Sequence, residues 1–302
     1  MQTDGKQLSF LNLVQEQEGN STQGVRVFNS QLLKWVGNKQ RFAYEIISFF
    51  PKRFGTYFEP FLGSGGVLAT LAPKKALGSD AFPPLIEIFS TLQKSPDTLK
   101  DWYRYRWDAM KRGDKKEIYE KIKASFNDNP NPADLLFISR TCYGGVMRFR
   151  TDGYISTPVG IHEPISPEAF SKRVDEWHIR TRYTKFANLD FEEAMMLAKP
   201  GDVIYCDPPY SHSQSILYGS QRFSLDWLFS VIEDCKNRGV YVVLSIDGVK
   251  KSGNRICNIL IPDGLFEREV LVNIGRSMLK RFQMNGKTLE GEVVKDRLLL
   301  TY

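Results

Sequence analysis

Apolar positions over residues 39–50 recur at helical spacing, and Pro51 ends the run, which predicts a helix stopped by that proline. Residues 56–62 alternate around aromatic side chains as a strand does and run into Gly63-Ser64-Gly65-Gly66. The apolar residues 67–71 predict a short helix ended near Pro73, and 76–78 a second strand leading to Asp80. Beyond residue 188 the same alternation resumes. Strands are expected at 203–206, 240–246, 269–274 and 297–302, with a helix over 225–236. Strands alternating with helices predict an α/β fold whose mostly parallel sheet is covered on both faces.

The stretch between these halves has another character. Aromatic and basic residues interleave from Trp102 to Trp107, and Lys111, Arg112, Lys115 and Lys116 follow. A basic segment punctuated by glycines then runs from Tyr143 to Gly160. Residues 92–187 therefore read as an insertion into a sheet domain made of 30–91 and 188–302. The cluster at 102–107 reads as helix core and rim rather than as a stacking platform for bases. Residues 1–29, rich in Gln, Asn, Ser and Gly, read as a loosely ordered leader.

A chain of 302 residues can bury one large core, or a core plus a smaller inserted domain. No apolar run reaches membrane-spanning length, and the polar N-terminus has no secretory pattern. Cys142, Cys206, Cys235 and Cys257 lack Cys-x-x-Cys spacing, and the histidines do not cluster with them. Neither a disulfide framework nor a metal site is expected, and a reducing cytoplasm is. The net charge of +6 permits a polyanionic partner without requiring one.

Candidate chemistry gathers where the predicted strands end. Strand 203–206 is followed by Asp207-Pro208-Pro209-Tyr210. Prolines lack backbone donors and stiffen the chain, so their carbonyls stay free and fixed in direction. A carboxylate, a free carbonyl and an aromatic ring at a sheet edge suit a planar amine such as an exocyclic nucleobase amino group. Glu59-Pro60-Phe61-Leu62-Gly63-Ser64-Gly65 joins a strand to a helix through a glycine turn, which lets the backbone approach a ligand closely. It is neither a Gly-x-Gly-x-x-Gly fingerprint nor a Walker loop, and a plain tight turn is the alternative. Asp80, at the end of the next strand, can accept a ribose or cap a helix. Asp190-Phe191 can border a purine, or Asp190 can simply cap a helix over 191–198.

Taken in order, these motifs resemble the adenine-N6 DNA methyltransferases of the DNA adenine methylase type, over about residues 33–302. Lys34-Trp35-Val36-Gly37-Asn38-Lys39 resembles the family's opening element, with Trp35 and Lys39 against the cofactor. Glu59, Pro60, Phe61, Gly63, Ser64 and Gly65 match the loop that holds the methionine part of S-adenosylmethionine. By the same resemblance Asp80 takes the ribose, and Asp190 and Phe191 border the cofactor adenine. Asp207, Pro208, Pro209 and Tyr210 form the catalytic tetrapeptide, with Asp207 also beside the cofactor. Tyr143, Arg148, Phe149, Arg150 and Tyr154 fall in a stretch similar to the family's DNA-reading hairpin. Arg276-Ser277 and the terminal Arg297-Leu298-Leu299-Leu300-Thr301-Tyr302 match its last strands.

The resemblance implies a Rossmann-like S-adenosylmethionine-dependent sheet with an inserted, mostly helical target-recognition domain bearing a β-hairpin. It implies methyl transfer to N6 of an adenine flipped out of double-stranded DNA, with Phe149 as a wedge between bases. A restriction-modification setting with a cognate restriction endonuclease is the expected context. The departures lie mainly in the hairpin: Arg150 and Ser156 replace common asparagines, and Asp152 stands where Lys or Arg is usual. At the end of the chain Thr301 replaces an asparagine. These leave the recognised sequence open. Cytosine N4, an RNA adenine or a protein glutamine are rival amines, and a catalytically idle DNA-binding protein is the rival class.

Overall fold

The computed structural model describes residues 19–209, 223–246, 259–275 and 294–302. Tyr210, Cys257, Arg276, Ser277 and most of the 1–29 leader lie outside the described residues.

Among the described residues the central element is a seven-stranded sheet. Its strands are β1 (Tyr57–Glu59), β2 (Ala76–Ser79), β3 (Thr184–Ala187), β4 (Val203–Cys206), β5 (Tyr241–Ile246), β6 (Arg268–Gly275) and β7 (Val294–Leu300). They lie in the order β3-β2-β1-β4-β5-β7-β6. The first five run parallel, and β7 is antiparallel to both of its neighbours. The expected α/β, Rossmann-like architecture is the observed one. In β4 the alternation is direct: Val203 and Tyr205 join the core on one face, Ile204 and Cys206 that on the other. A strand apolar on both faces is what a doubly covered parallel sheet requires.

Helices α1 (Ala43–Ser48), α2 (Gly66–Leu71), α3 (Pro83–Lys94), α4 (Pro96–Arg112), α5 (Lys115–Asp128), α6 (Pro132–Thr141) and α7 (Pro167–Thr181) precede β3. Helices α8 (Phe191–Met196) and α9 (Leu225–Asn237) flank β4. α1 is shorter than the 39–50 periodicity predicts. The backbone of Lys39 to Phe42 closes turns instead, with Gln40 N donating to Asn38 Oδ1 at 2.7 Å and Phe42 N to Lys39 O at 2.9 Å. α8 also stops early, since Leu197 and Ala198 close a turn before Pro200.

The middle stretch is largely helical, as the resemblance implies, and starts each helix with a side-chain or proline cap. Asn131, Ser166 and Asp114 accept backbone N–H groups at the starts of α6, α7 and α5. Tyr103 of α4 stacks on Phe170 of α7 at 4.1 Å and is fully buried, whereas Tyr105 faces solvent. The 102–107 cluster is thus core and rim. One apolar cluster runs without a break from these helices to Tyr57, Val203 and Tyr205 of the sheet. Thr184–Ala187, within the range assigned to the insertion, is the sheet's edge strand beside β2, so the sheet reclaims the chain at Thr184. Among the described residues no helix is long and apolar enough to cross a membrane.

Candidate active site

Strand β1 pairs with β2 on one side and β4 on the other, and the direction of winding reverses there. At such a switch point the connections leave the carboxyl ends of the two strands in opposite directions and open a crevice. β1 ends on Glu59, and Asp207 directly follows β4. A pocket of about 480 Å³ fills the crevice, a volume suited to a small organic ligand. Trp35, Lys39, Glu59, Pro60, Phe61, Gly63, Ser64, Asp80, Asp190, Phe191, Asp207 and Pro209 all line it. Motifs far apart in the chain therefore meet around one pocket.

The glycine turn is built for close approach. Gly63 has φ +47, and a Cβ there would stand 3.2 Å from the Trp35 ring. Trp35 is buried directly over this turn. Gly65, with φ +64, caps α2 and stands behind the pocket wall. Asp80 ties the turn down: its carboxylate accepts Gly63 N at 3.0 Å and Phe82 N at 3.1 Å. Burial pushes its pKa up to about 6 against those stabilising donors. Asp190 realises the capping alternative, exchanging bonds with Glu193 in a capping box while still facing the pocket.

An aromatic cluster also lines the pocket. Phe191 stacks on Phe61 at 5.4 Å and meets Trp227 edge-on at 4.5 Å, and Phe223 packs against Phe61 and Phe191. Phe223 and Trp227 carry no motif and were not expected here. Ser224 caps α9 and fixes where Trp227 emerges, a signal present in the sequence.

The charged end of the pocket is more constrained than the motifs imply. Lys39 Nζ donates to both oxygens of Asp207 at 2.8 Å, to Gly37 O at 3.2 Å, and lies 3.5 Å from Asp296 Oδ2. Burial works against the ammonium, but the Asp207 and Asp296 carboxylates outweigh it and hold the Lys39 pKa above its ordinary value. Glu59 is buried and accepts the Tyr57 hydroxyl at 2.7 Å. Burial first, and the nearby Asp207 charge second, push its carboxyl up to about 8 despite the Tyr57 hydrogen bond. Pro208 is buried behind Pro209, and Tyr210 lies outside the described residues.

A sequence profile of the D12 class N6 adenine-specific DNA methyltransferases matches residues 35–269, most of the chain. The chain belongs to that family. Its relatives include the Type II methyltransferase M1.LlaDCHI of Lactococcus lactis subsp. cremoris, 26% identical over 230 residues covering 70% of this chain and 79% of the relative. The retron Ec67 DNA adenine methylase of Escherichia coli is 27% identical, covering 72% and 76%. The DNA adenine methylase of Vibrio cholerae serotype O1 (strain ATCC 39541 / Classical Ogawa 395 / O395) is 26% identical, covering 70% and 79%.

For a D12 class methyltransferase the 143–160 segment is the expected DNA-reading element, and it folds as a loose hairpin. Bridges join Cys142 to Val159 and Phe149 to Ile155, and Gly153 at φ +84 makes the turn. Asn127 of α5 clamps it by exchanging two bonds with the Ile155 backbone. Tyr143 and Tyr154 are 41% and 47% exposed, Arg148 is exposed, and Arg150 pairs with Asp152 at 2.8 Å. Phe149 departs from expectation. It is 5% exposed, with its ring edge-on to Phe82 at 5.8 Å. Alternation along the hairpin turns residue 149 into the core while 148 and 150 face out, so the ring is a structural anchor rather than a base wedge. Among the described residues no His, Cys, Asp and Glu cluster has the form of a metal site.

Proposed function

We propose that this adenine-specific DNA methyltransferase uses S-adenosylmethionine held in the switch-point pocket to methylate N6 of an adenine flipped out of double-stranded DNA. The observation that carries the reading is that Asp207 lines the same pocket as the Gly63 turn, Asp80 and Phe191. The donor set fits the cofactor. The Phe61, Phe191, Phe223 and Trp227 rings suit a purine, Asp80 suits a ribose, and Glu59 suits an ammonium group that would draw its proton away. The Gly63 cradle, which a side chain would fill, leaves room against Trp35. When bound, the cofactor supplies a methyl group made electrophilic by its sulfonium.

The chain's own groups do the rest. An adenine amino group is paired and stacked inside a duplex, so it must leave the helix to reach Asp207. Asp207 accepts one N6–H and the Pro208 carbonyl the other, drawing the nitrogen toward tetrahedral geometry and freeing its lone pair. Tyr210, by its place in the tetrapeptide, supplies a stacking face. Proton loss follows bond formation, so Asp207 works as an oriented acceptor and needs no strong basicity. Placement and electrostatics contribute most of the rate. Arg148 and Arg150 contact the duplex, by phosphates or guanine edges. The Type II name of one relative supports a cognate restriction endonuclease as partner.

The test is modification-sensitive, long-read sequencing of DNA from a methylation-free host that expresses the chain. N6-methyladenine confined to one short sequence is the expected result. Modified cytosine, or no modified base while the protein still binds S-adenosylmethionine, would redirect the reading to another amine.

A further inference from the structure

The two outward arginines of the hairpin are held differently. Among the described residues the Arg148 side chain makes no ion pair or hydrogen bond. Arg150 is fixed from two sides. Its Nη2 lies 2.8 Å from Asp152 Oδ2, and its guanidinium carbon stands 5.9 Å from the centre of the Tyr154 ring. Asp152 is tied in turn, because its Oδ1 accepts Tyr154 N at 3.1 Å. The backbone closes the same corner: Gly153 N donates to Arg150 O at 2.9 Å, and Arg150 N to Tyr154 O at 2.8 Å. The Arg150 side chain nevertheless stays 61% exposed, and its Nε and Nη1 make no hydrogen bond among the described residues.

An exposed ion pair of this kind adds little to stability, so the fold gains little from it. Its effect on charge is larger. A lone guanidinium is drawn to a phosphate, but a carboxylate beside it offsets that attraction and repels a second anion. Asp152 stands where a cation would favour a phosphate contact. Guanine O6 and N7 are neutral acceptors, and a guanidinium held in one orientation can meet both at once. Holding the side chain beforehand also avoids part of the rotamer entropy that a free arginine loses on binding.

We propose that Arg150 is a specificity-determining residue that reads a guanine in the major groove, and that Asp152 is the positioning residue that aims it. This rests on the DNA-methylation reading above, and narrows the Arg150 contact from phosphate or guanine to guanine alone.

The test is methylation kinetics on duplexes carrying the recognised site, as found by sequencing, with each guanine replaced in turn by 7-deazaguanine, which lacks the N7 acceptor. Arg150→Ala should lower kcat/KM on the natural site by about 10- to 100-fold, the scale of one bidentate base contact. One particular modified duplex should be poor for the wild type and cost Arg150→Ala little further. Asp152→Asn should erode the preference for that guanine over adenine by about two- to fivefold, the scale of an exposed ion pair. It should bind unrelated duplex as tightly as the wild type or more tightly, since a negative charge is gone. Because the modified duplexes are also read by wild-type protein, a poorly folding variant does not block the test. A recognised site without any G·C pair overturns the proposal, as does an Arg150→Ala protein that stays as sensitive as the wild type to every replaced guanine. So does a loss spread evenly over all sequences with a salt dependence reduced by about one phosphate contact. A methylated cytosine in place of adenine would fail the underlying reading instead, and the guanine contact would then be tested on that motif.

Discussion

Glu59 shows how much of this site is set by burial rather than by residue type. Its carboxyl, ordinarily near 4.5, is pushed up to about 8, so near neutral pH it is mostly protonated. A carboxyl raised on folding contributes stability that is fully present below the unfolded value and is lost as pH rises through the folded one. Stability of the cofactor-free protein should therefore fall between about pH 4.5 and 8. Glu59→Gln should flatten that decline in thermal denaturation and weaken cofactor binding; an unchanged pH slope would contradict the assignment. The glutamate itself was legible from its motif, but its charge state was not. Proton affinity depends on Tyr57, Asp207 and the covering residues, none of which a linear motif encodes. The Lys39 to Asp207 pair, 168 residues apart in the chain, was hidden for the same reason, and Asp296 carried no signal at all.

The strongly patterned elements could be read directly. Strand 203–206, all apolar, and the helix over 225–236 lie where the apolar pattern puts them. The weakly patterned ones could not. Thr184–Ala187, also four residues but with a lysine among them, becomes a strand because β2 offers it an open edge. The hairpin divides along its own alternation. Phe149→Ala should destabilise the fold by about 3 kcal/mol, as the loss of a buried aromatic does, while any effect on DNA follows from that loss. Arg148→Ala should leave stability within about 0.5 kcal/mol and weaken duplex binding by about 1–3 kcal/mol. Chemical denaturation beside DNA titration separates the two. Equal stability loss, or a DNA defect confined to Phe149→Ala, would contradict this division.

For the whole molecule, one apolar cluster joins the sheet to the inserted helices, so the 143–160 hairpin and the switch-point pocket ride on a common core. Phe82 makes the link concrete: its backbone N–H bonds Asp80 in the pocket, and its ring meets Phe149 in the hairpin. The proposed mechanism presents one amino group to one carboxylate, and Asp207 lines the pocket together with the glycine turn and the aromatic cluster. The most direct test incubates purified wild-type and Asp207→Ala protein with duplex DNA and methyl-labelled S-adenosylmethionine, then resolves the labelled nucleosides by mass spectrometry. Label in N6-methyldeoxyadenosine with the wild type, and none with Asp207→Ala although it still binds cofactor, is the predicted result. Label in another nucleoside, or wild-type turnover by Asp207→Ala, would contradict the account at its centre.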